Sequence, residues 1–217
     1  CIRDSDMYVP RGAGAYICGE ETALMESLEG KIGQPRLKPP FPADKGLYAK
    51  PTVVNNTETV TNVPFIIQNG AAEFKKNGTE KSPGTKLFCL SGHIQKPGNV
   101  ELPLGTTLRE LIYTHGGGIR GGKGFKAVML SGASSVVLKV DDALLDTPLD
   151  YESVAAKGAM LGSASVIVLD ETVDLSWVIL KTTAFFKHES CGKCTPCREG
   201  TYWMLNILQR INKGAAV

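Results

Sequence analysis

Lys86-Leu-Phe-Cys-Leu-Ser91, a Lys96-Pro-Gly98 turn and Val100-Glu-Leu102 form the stretch that sets the fold class, because two short apolar runs flanking a proline–glycine turn read as a β-hairpin. Working outward, a capped helix is predicted from Thr107 to His115, with further strands near Ala127–Leu130, Ser135–Lys139 and Ser165–Leu169. Two hairpins crossed by one helix suggest a small β-grasp unit. Asn77-Gly78 and Pro83-Gly84 mark its upstream boundary. Before that boundary come an interrupted helix, a proline-rich loop at Lys38-Pro-Pro-Phe-Pro42, and a second helix from about Glu58 to Asn69. After Asp170 the pattern turns helical through Val173–His188, like the opening of a helical bundle. The expectation is an α+β multidomain chain divided into residues 1–84, 85–170 and 171–217.

The chemistry is concentrated in His188-Glu-Ser-Cys-Gly-Lys-Cys-Thr-Pro-Cys-Arg-Glu-Gly200. Cys191, Cys194 and Cys197 are spaced C-x2-C-x2-C, which lets three thiolates converge on one iron–sulfur cube. A [4Fe–4S] cluster held by protein alone takes four cysteines, and Thr201 stands where the bacterial ferredoxin run places its fourth. The fourth ligand is expected from a segment past Val217, with Cys1, Cys18 and Cys89 as alternatives. Zinc is the competing metal, since His188 would complete a Cys3His set. Zinc sites, however, usually draw two ligands from each of two separated knuckles, whereas three cysteines on one loop running into a helix suit an iron–sulfur centre. Lys187, Lys193 and Arg198 flank the loop and would favour its negative charge. The segment from Arg198 to Arg210 reads as a helix with Tyr202, Leu205 and Leu208 on one face, and Trp203 and Met204 are assigned to packing.

A second signal is Gly12-Ala-Gly14-Ala-Tyr16-Ile-Cys-Gly19-Glu20-Glu21-Thr22, a glycine-punctuated turn entering a helix that Gly30 can terminate. Glycines there would let a flat or phosphorylated ligand approach the backbone, although the fragment is not a complete dinucleotide fingerprint. Glu20 and Glu21 suit a helix start and could equally accept hydrogen bonds from ribose hydroxyls. By contrast, Gly117-x4-Gly122-Lys123 imitates a phosphate loop but has Gly124 where Ser or Thr is required.

Composition excludes several classes. The 217 residues carry a formal net charge of +2 with scattered basic residues, so no nucleic-acid partner is indicated. The apolar runs at Ser165–Leu169 and Val178–Leu180 fall far short of the ~20 residues of a spanning helix, leaving any membrane association to a partner protein. Six cysteines are too sparse for a disulfide scaffold, and a reducing compartment is the better inference. The chain ends, Cys1-Ile-Arg-Asp and Lys213-Gly-Ala-Ala-Val217, read as those of an internal piece of a longer protein.

Gly12–Gly30, Pro35–Pro42, Lys50–Thr59 and His188–Gly200 together resemble the NADH-binding flavoprotein subunit of respiratory complex I, along the whole chain. The same core is similar to the diaphorase subunits of NAD-linked hydrogenases and formate dehydrogenases. The resemblance implies a partial α/β FMN- and NADH-binding domain, a ubiquitin-like β-grasp domain and the start of a helical bundle carrying one [4Fe–4S] cluster. It implies that Gly12, Gly14, Tyr16, Gly19, Glu20 and Glu21 line the flavin and nucleotide cleft, with Glu21 at the nucleotide ribose. Asn55, Asn56 and Thr57 would sit against FMN, and Cys191, Cys194 and Cys197 would ligate the cluster. The cofactors would be FMN, NADH and the cluster, with no acid–base residue required. The partners would be other iron–sulfur subunits, in a cytoplasmic assembly peripheral to the inner membrane. Both a flavin loop upstream of Cys1 and the fourth cysteine would lie outside the chain, leaving it inactive by itself. Outside this class, a ferredoxin-like carrier or a zinc-stabilised binding module are the alternatives.

Overall fold

The computed structural model describes residues 5–215. In chain order they form α1 (Glu21–Leu28), α2 (Pro42–Lys45), α3 (Thr57–Asn69), α4 (Ala71–Phe74), β1 (Thr85–Gly92), β2 (Gly98–Pro103), β3 (Phe125–Ala133), β4 (Leu138–Lys139), α5 (Asp142–Leu145), α6 (Tyr151–Ala156), β5 (Ser165–Asp170), α7 (Leu175–Glu189) and α8 (Thr195–Asn212). Packing divides them into two compact units, one made of residues up to Asn56 together with those from Leu175 onward, the other of Thr57–Asp174.

The Thr57–Asp174 unit is built on a five-stranded mixed sheet in the order β2-β1-β5-β3-β4. β1 and β2 form the expected hairpin, with Phe88 opposite Val100 and Cys89 opposite Asn99. β5 returns to lie parallel beside β1, pairing Cys89 with Ser165, and takes antiparallel β3 on its other side, with Val128 opposite Val168. Alternation sorts the faces of β1: Lys86, Phe88 and Leu90 are buried, while Leu87 is exposed. Phe88, Leu90, Val128, Val166 and Val168 share one core with Leu108, Leu111 and Ile112 of the crossing helix. That helix widens into a π-type turn over Glu110–His115, where the Gly116 amide donates to the Leu111 carbonyl, five residues back, at 2.9 Å.

One expectation is corrected here. The strand expected over Ser135–Lys139 shrinks to Leu138–Lys139, because β3 offers it only Ala127 and Val128 as partners. Residues 57–84 pack with the sheet: the Glu58 carboxylate accepts from the Leu87 amide at 2.9 Å and pairs with the Lys86 ammonium, and Ser82 donates to Glu152 at 2.7 Å. Asp141 and Asp150 cap α5 and α6 by accepting from the amides of Leu144 and Ser153, the orphan donors of each first turn.

In the other unit, α7 and α8 form an antiparallel hairpin. Ser176 at the start of α7 hydrogen-bonds Asn212 at the end of α8, at 2.8 Å. Leu205 and Leu208 are half-buried, whereas Trp203 and Met204, assigned to packing from the sequence, are exposed at 63% and 54%. Among the described residues no helix is long and apolar enough to cross a membrane.

Phe88 is fully buried at the centre of the sheet core. Phe88→Ala is expected to lower the unfolding free energy of this unit by about 3–5 kcal/mol, read by chemical denaturation. A loss below about 1 kcal/mol would show that the core does not rest on this ring.

Candidate functional site: a glycine turn and a cysteine loop in one unit

The glycine-punctuated segment narrows into a 3-10 turn over Tyr16–Gly19 and then enters α1. Gly14 needs glycine for its backbone, with φ of +80°. Gly12 and Gly19 have no positive φ, and a Cβ built on either would meet nothing within 4 Å. Nothing inside the described chain therefore requires glycine at these two positions. Gly33 differs, since a Cβ there would come within 2.6 Å of the Cys18 sulfur, so a side chain at this position would make that thiol shift.

Glu20 is the N-cap of α1. Its carboxylate accepts from the amides of Thr22 and Ala23 at 2.9 and 2.8 Å and from the Thr22 hydroxyl. Burial pushes this carboxyl up, but those hydrogen bonds and Lys38 outweigh it and hold it below its ordinary range. Glu21, one residue on, is paired with the Lys38 ammonium, which also lies 3.7 Å from Glu20. Asn55, Asn56 and Thr57 are exposed and lead into α3.

Arg36 organises the rest of this end. Its amide donates to the Thr22 hydroxyl at 2.8 Å, its guanidinium reaches Glu26, Glu29 at 2.7 Å and the Gly46 carbonyl at 2.9 Å, and a cavity of about 300 Å³ opens beside it. Lys31 and the Tyr48 amide complete the ring around Glu29. In the sequence Arg36 is hidden inside a run that reads only as a proline-rich loop.

Cys191, Cys194 and Cys197 occupy the five-residue loop between α7 and α8 and the first turn of α8. Cys191 is half-buried, while Cys194, the N-cap of α8, and Cys197 are exposed; all three are free thiols. Gly192 turns the loop at φ of +75°. Ser190 Oγ lies 3.4 Å from the Cys197 sulfur, and Arg198 donates to the Gly192 carbonyl at 2.7 Å. Among the described residues no three His, Cys, Asp or Glu side chains are grouped closely enough to hold a metal ion, the set of His188 with these cysteines included. Of the alternative fourth ligands, Cys18 lies against Gly33 and Cys89 on β1, while Cys1 lies outside the described residues.

The two ends of the chain meet here. Gln34 Nε2 donates to the Cys191 carbonyl at 2.7 Å, Lys193 Nζ to the Pro35 carbonyl, and the Tyr16 amide to Glu189 at 3.1 Å. The Tyr16 ring stands edge-on to Phe185 and Phe186, with centroids 5.2 and 6.2 Å away. Gln34, Glu189 and the two phenylalanines carry no local sequence signal, since each acts through partners more than a hundred residues away.

Fold and site thus define a mixed α/β chain in which a cysteine-bearing helical hairpin is bound to a glycine- and glutamate-bearing turn. Residues 2–65 match the Nuo51 FMN-binding domain, residues 87–132 the SLBB domain, and residues 177–217 the NADH-ubiquinone oxidoreductase-F iron–sulfur binding region. The chain is 53% identical over 96% of its length to the second F subunit of the NADH-quinone oxidoreductase of Rhizobium meliloti (strain 1021), covering 49% of that protein. It is 54% identical over 97% of its length to the corresponding F subunit of Mycobacterium bovis, covering 47% of it. Among solved structures, the NAD+-reducing [NiFe]-hydrogenase in its H2-reduced state aligns with a TM-score of 0.85 and 42% identity, over 95% of this chain and 34% of that one. The chain is a homologue of NADH-quinone oxidoreductase F subunits along nearly its whole length, and it spans about half the length of the curated relatives it matches.

The ring around Glu29 makes a pH prediction. Lys31, Arg36 and the Tyr48 amide pull its carboxyl down to about 2, against ~4.3 for an unfolded glutamate. The unfolded chain thus takes up the proton first. The stabilisation is present in full above about pH 5 and is lost as pH falls from there toward 2. Glu29→Gln is expected to lower the melting temperature at pH 7 and to flatten its fall between pH 5 and pH 3. Parallel wild-type and variant curves would contradict this.

Proposed function

We propose that this chain is part of an electron-transfer flavoprotein subunit that oxidises NADH through FMN and passes single electrons to a [4Fe–4S] cluster, in the NADH-dehydrogenase module of a complex I. The observation that carries the reading is that the part of the FMN-binding match up to Asn56 packs into one compact unit with the iron–sulfur match, although more than a hundred residues separate them in the chain. Bound FMN would supply the exchange between a two-electron hydride and one-electron carriers. The protein's part is positioning and electrostatics.

The donor types present suit these groups: each cysteine of a [4Fe–4S] cluster binds a different iron, so the three thiolates need not meet at one metal ion. Gly12 and Gly19 are open where a flavin or nucleotide would need to approach the backbone, Gly14 turns the chain between them, and Tyr16 borders the same turn. With the Glu20 carboxylate engaged as a cap, Glu21 is the carboxylate left to face a ribose, its Lys38 partner notwithstanding. Asn55, Asn56 and Thr57 offer amide and hydroxyl groups to the flavin edge. Cys191, Cys194 and Cys197 supply three thiolates at the start of an 18-residue helix, whose amide end favours an anionic cluster, and the fourth ligand comes from the part of the subunit not spanned here.

Under this reading the domains are residues 1–84, the C-terminal part of the FMN/NADH domain; 85–170, a β-grasp domain; and 171–217, the start of the cluster-bearing bundle. The order β2-β1-β5-β3-β4, with β1 and β5 parallel at the centre, supports the second of these. Partners are further iron–sulfur subunits, through which the module sits at the inner membrane. A diaphorase subunit of a hydrogenase is the second reading, supported by the hydrogenase structural likeness.

Full-length subunit reconstituted anaerobically is expected to bind about four irons at this site with matching acid-labile sulfide. Cys194→Ser is expected to lose the cluster while keeping hydride transfer to the flavin. Stoichiometric zinc without sulfide would replace the cluster with a structural zinc site.

Glu21 sets cofactor choice, because its charge accepts from the NADH ribose and repels the 2′-phosphate of NADPH. Two like charges at close range are worth about 1–3 kcal/mol, so Glu21→Gln in the full-length subunit is expected to narrow the NADH:NADPH ratio of kcat/KM roughly ten- to a hundredfold, mainly by improving NADPH. An unchanged ratio with impaired folding would make Glu21 a helix-start acid only.

A further inference from the structure

The structure assigns to Gln34 the role of a positioning residue for the cysteine loop, an inference that rests on the cluster reading above. Its side-chain amide holds the carbonyl of Cys191, the first of the three proposed ligands, at 2.7 Å in a part-buried setting. The next two residues of the loop are also held from outside their own backbone. The Gly192 carbonyl accepts from Arg198 at 2.7 Å, and the Lys193 ammonium donates to the Pro35 carbonyl. Three successive residues of a loop with no regular structure are thereby fixed, and two of the three tethers end on one strap, Gly33–Arg36.

That strap is itself rigid. Gly33 passes so near the Cys18 sulfur that a side chain there would make the thiol shift, the Arg36 amide donates to Thr22, and the Arg36 guanidinium bridges Glu29 and the Gly46 carbonyl. Thr22 in turn donates to Glu20, the cap of α1. Hydrogen bonds from Glu20 through Thr22 to Arg36, the backbone from Arg36 back to Gln34, and the bond from Gln34 to Cys191 therefore join the glutamate turn to the Cys191 corner.

Cluster retention depends on how well the sulfurs are preorganised, because a loop that has lost its tether pays ordering entropy each time the ligands regroup. The donor at position 34 must be neutral and long: asparagine is one methylene short, and glutamate would face a carbonyl with an acceptor. Gln34 thus lowers the rate at which iron leaves the site and fixes the ligand geometry that shapes the reduced cluster's EPR signal.

The test uses full-length subunit carrying its cluster. Gln34→Met keeps the bulk and removes only the donor, and Lys193→Met cuts the neighbouring tether. Iron release to a chelator is followed anaerobically, alongside the EPR spectrum of the reduced cluster and the melting temperature. Losing one hydrogen bond of ordinary strength predicts release roughly two- to tenfold faster in Gln34→Met, with shifted g-values and a melting temperature close to wild type. Lys193→Met is expected to act in the same direction. Release rates and g-values equal to wild type in both variants would overturn the positioning role and leave the cluster reading intact. A wild-type subunit without iron and acid-labile sulfide would overturn both.

Discussion

Gln34 holds the carbonyl of Cys191 across 157 residues of intervening chain, and the placing of the cysteine loop against the glycine turn depends on that contact and its two neighbours. A helical hairpin and a glycine turn are each marginal as isolated pieces, because short helices gain most of their stability from tertiary packing. Joined by Tyr16 to Glu189, Gln34 to Cys191 and Lys193 to Pro35, with Tyr16 edge-on to two phenylalanines, they form one body. Two of these three polar bonds involve a charged partner, which makes them stronger than neutral ones.

Charge distribution within this unit is local rather than global. The formal net charge is only +2, yet Glu26, Glu29, Lys31 and Arg36 are paired into a ring in which Arg36 serves Glu26 and Glu29 at once, and Lys38 stands between Glu20 and Glu21. Lys193 and Arg198, read from the sequence as cations that favour the loop's negative charge, both end on backbone carbonyls. Their charge stays beside the cysteine loop while their hydrogen bonds shape it. The sheet unit follows a different rule: its stability rests on Phe88, Val128 and Val168 facing the crossing helix.

How much of this was legible in the sequence depended on the range of the interaction involved. Ser165–Asp170 and Thr57–Asn69 were readable almost to the residue, because alternation and 3.6-residue periodicity are written locally. The strand over Ser135–Lys139 came out shorter than expected, since its length is decided by what β3 can pair with. The spacing of Cys191, Cys194 and Cys197 made that loop visible at once. The two meanings of Glu20 could not be separated without coordinates, which give its carboxylate to the amides of Thr22 and Ala23. Gln34 and Arg36 were invisible as site residues, because a glutamine or arginine in a loop has no local pattern that distinguishes a solvated side chain from one that spans the fold. Trp203 and Met204 misled in the opposite direction: apolar residues on a helix suggest packing, and in the described structure they face outward.

The central claim is that the turn and the cysteine loop, held in one body, serve a single path for electrons from NADH. Anaerobic titration of the full-length, iron- and flavin-loaded subunit with NADH, following flavin absorbance and the cluster's EPR signal together, tests it most directly. The account predicts that the flavin band bleaches and the reduced-cluster signal appears within the same titration. Bleaching of the flavin with the cluster silent, in protein carrying its full complement of iron and sulfide, would contradict it.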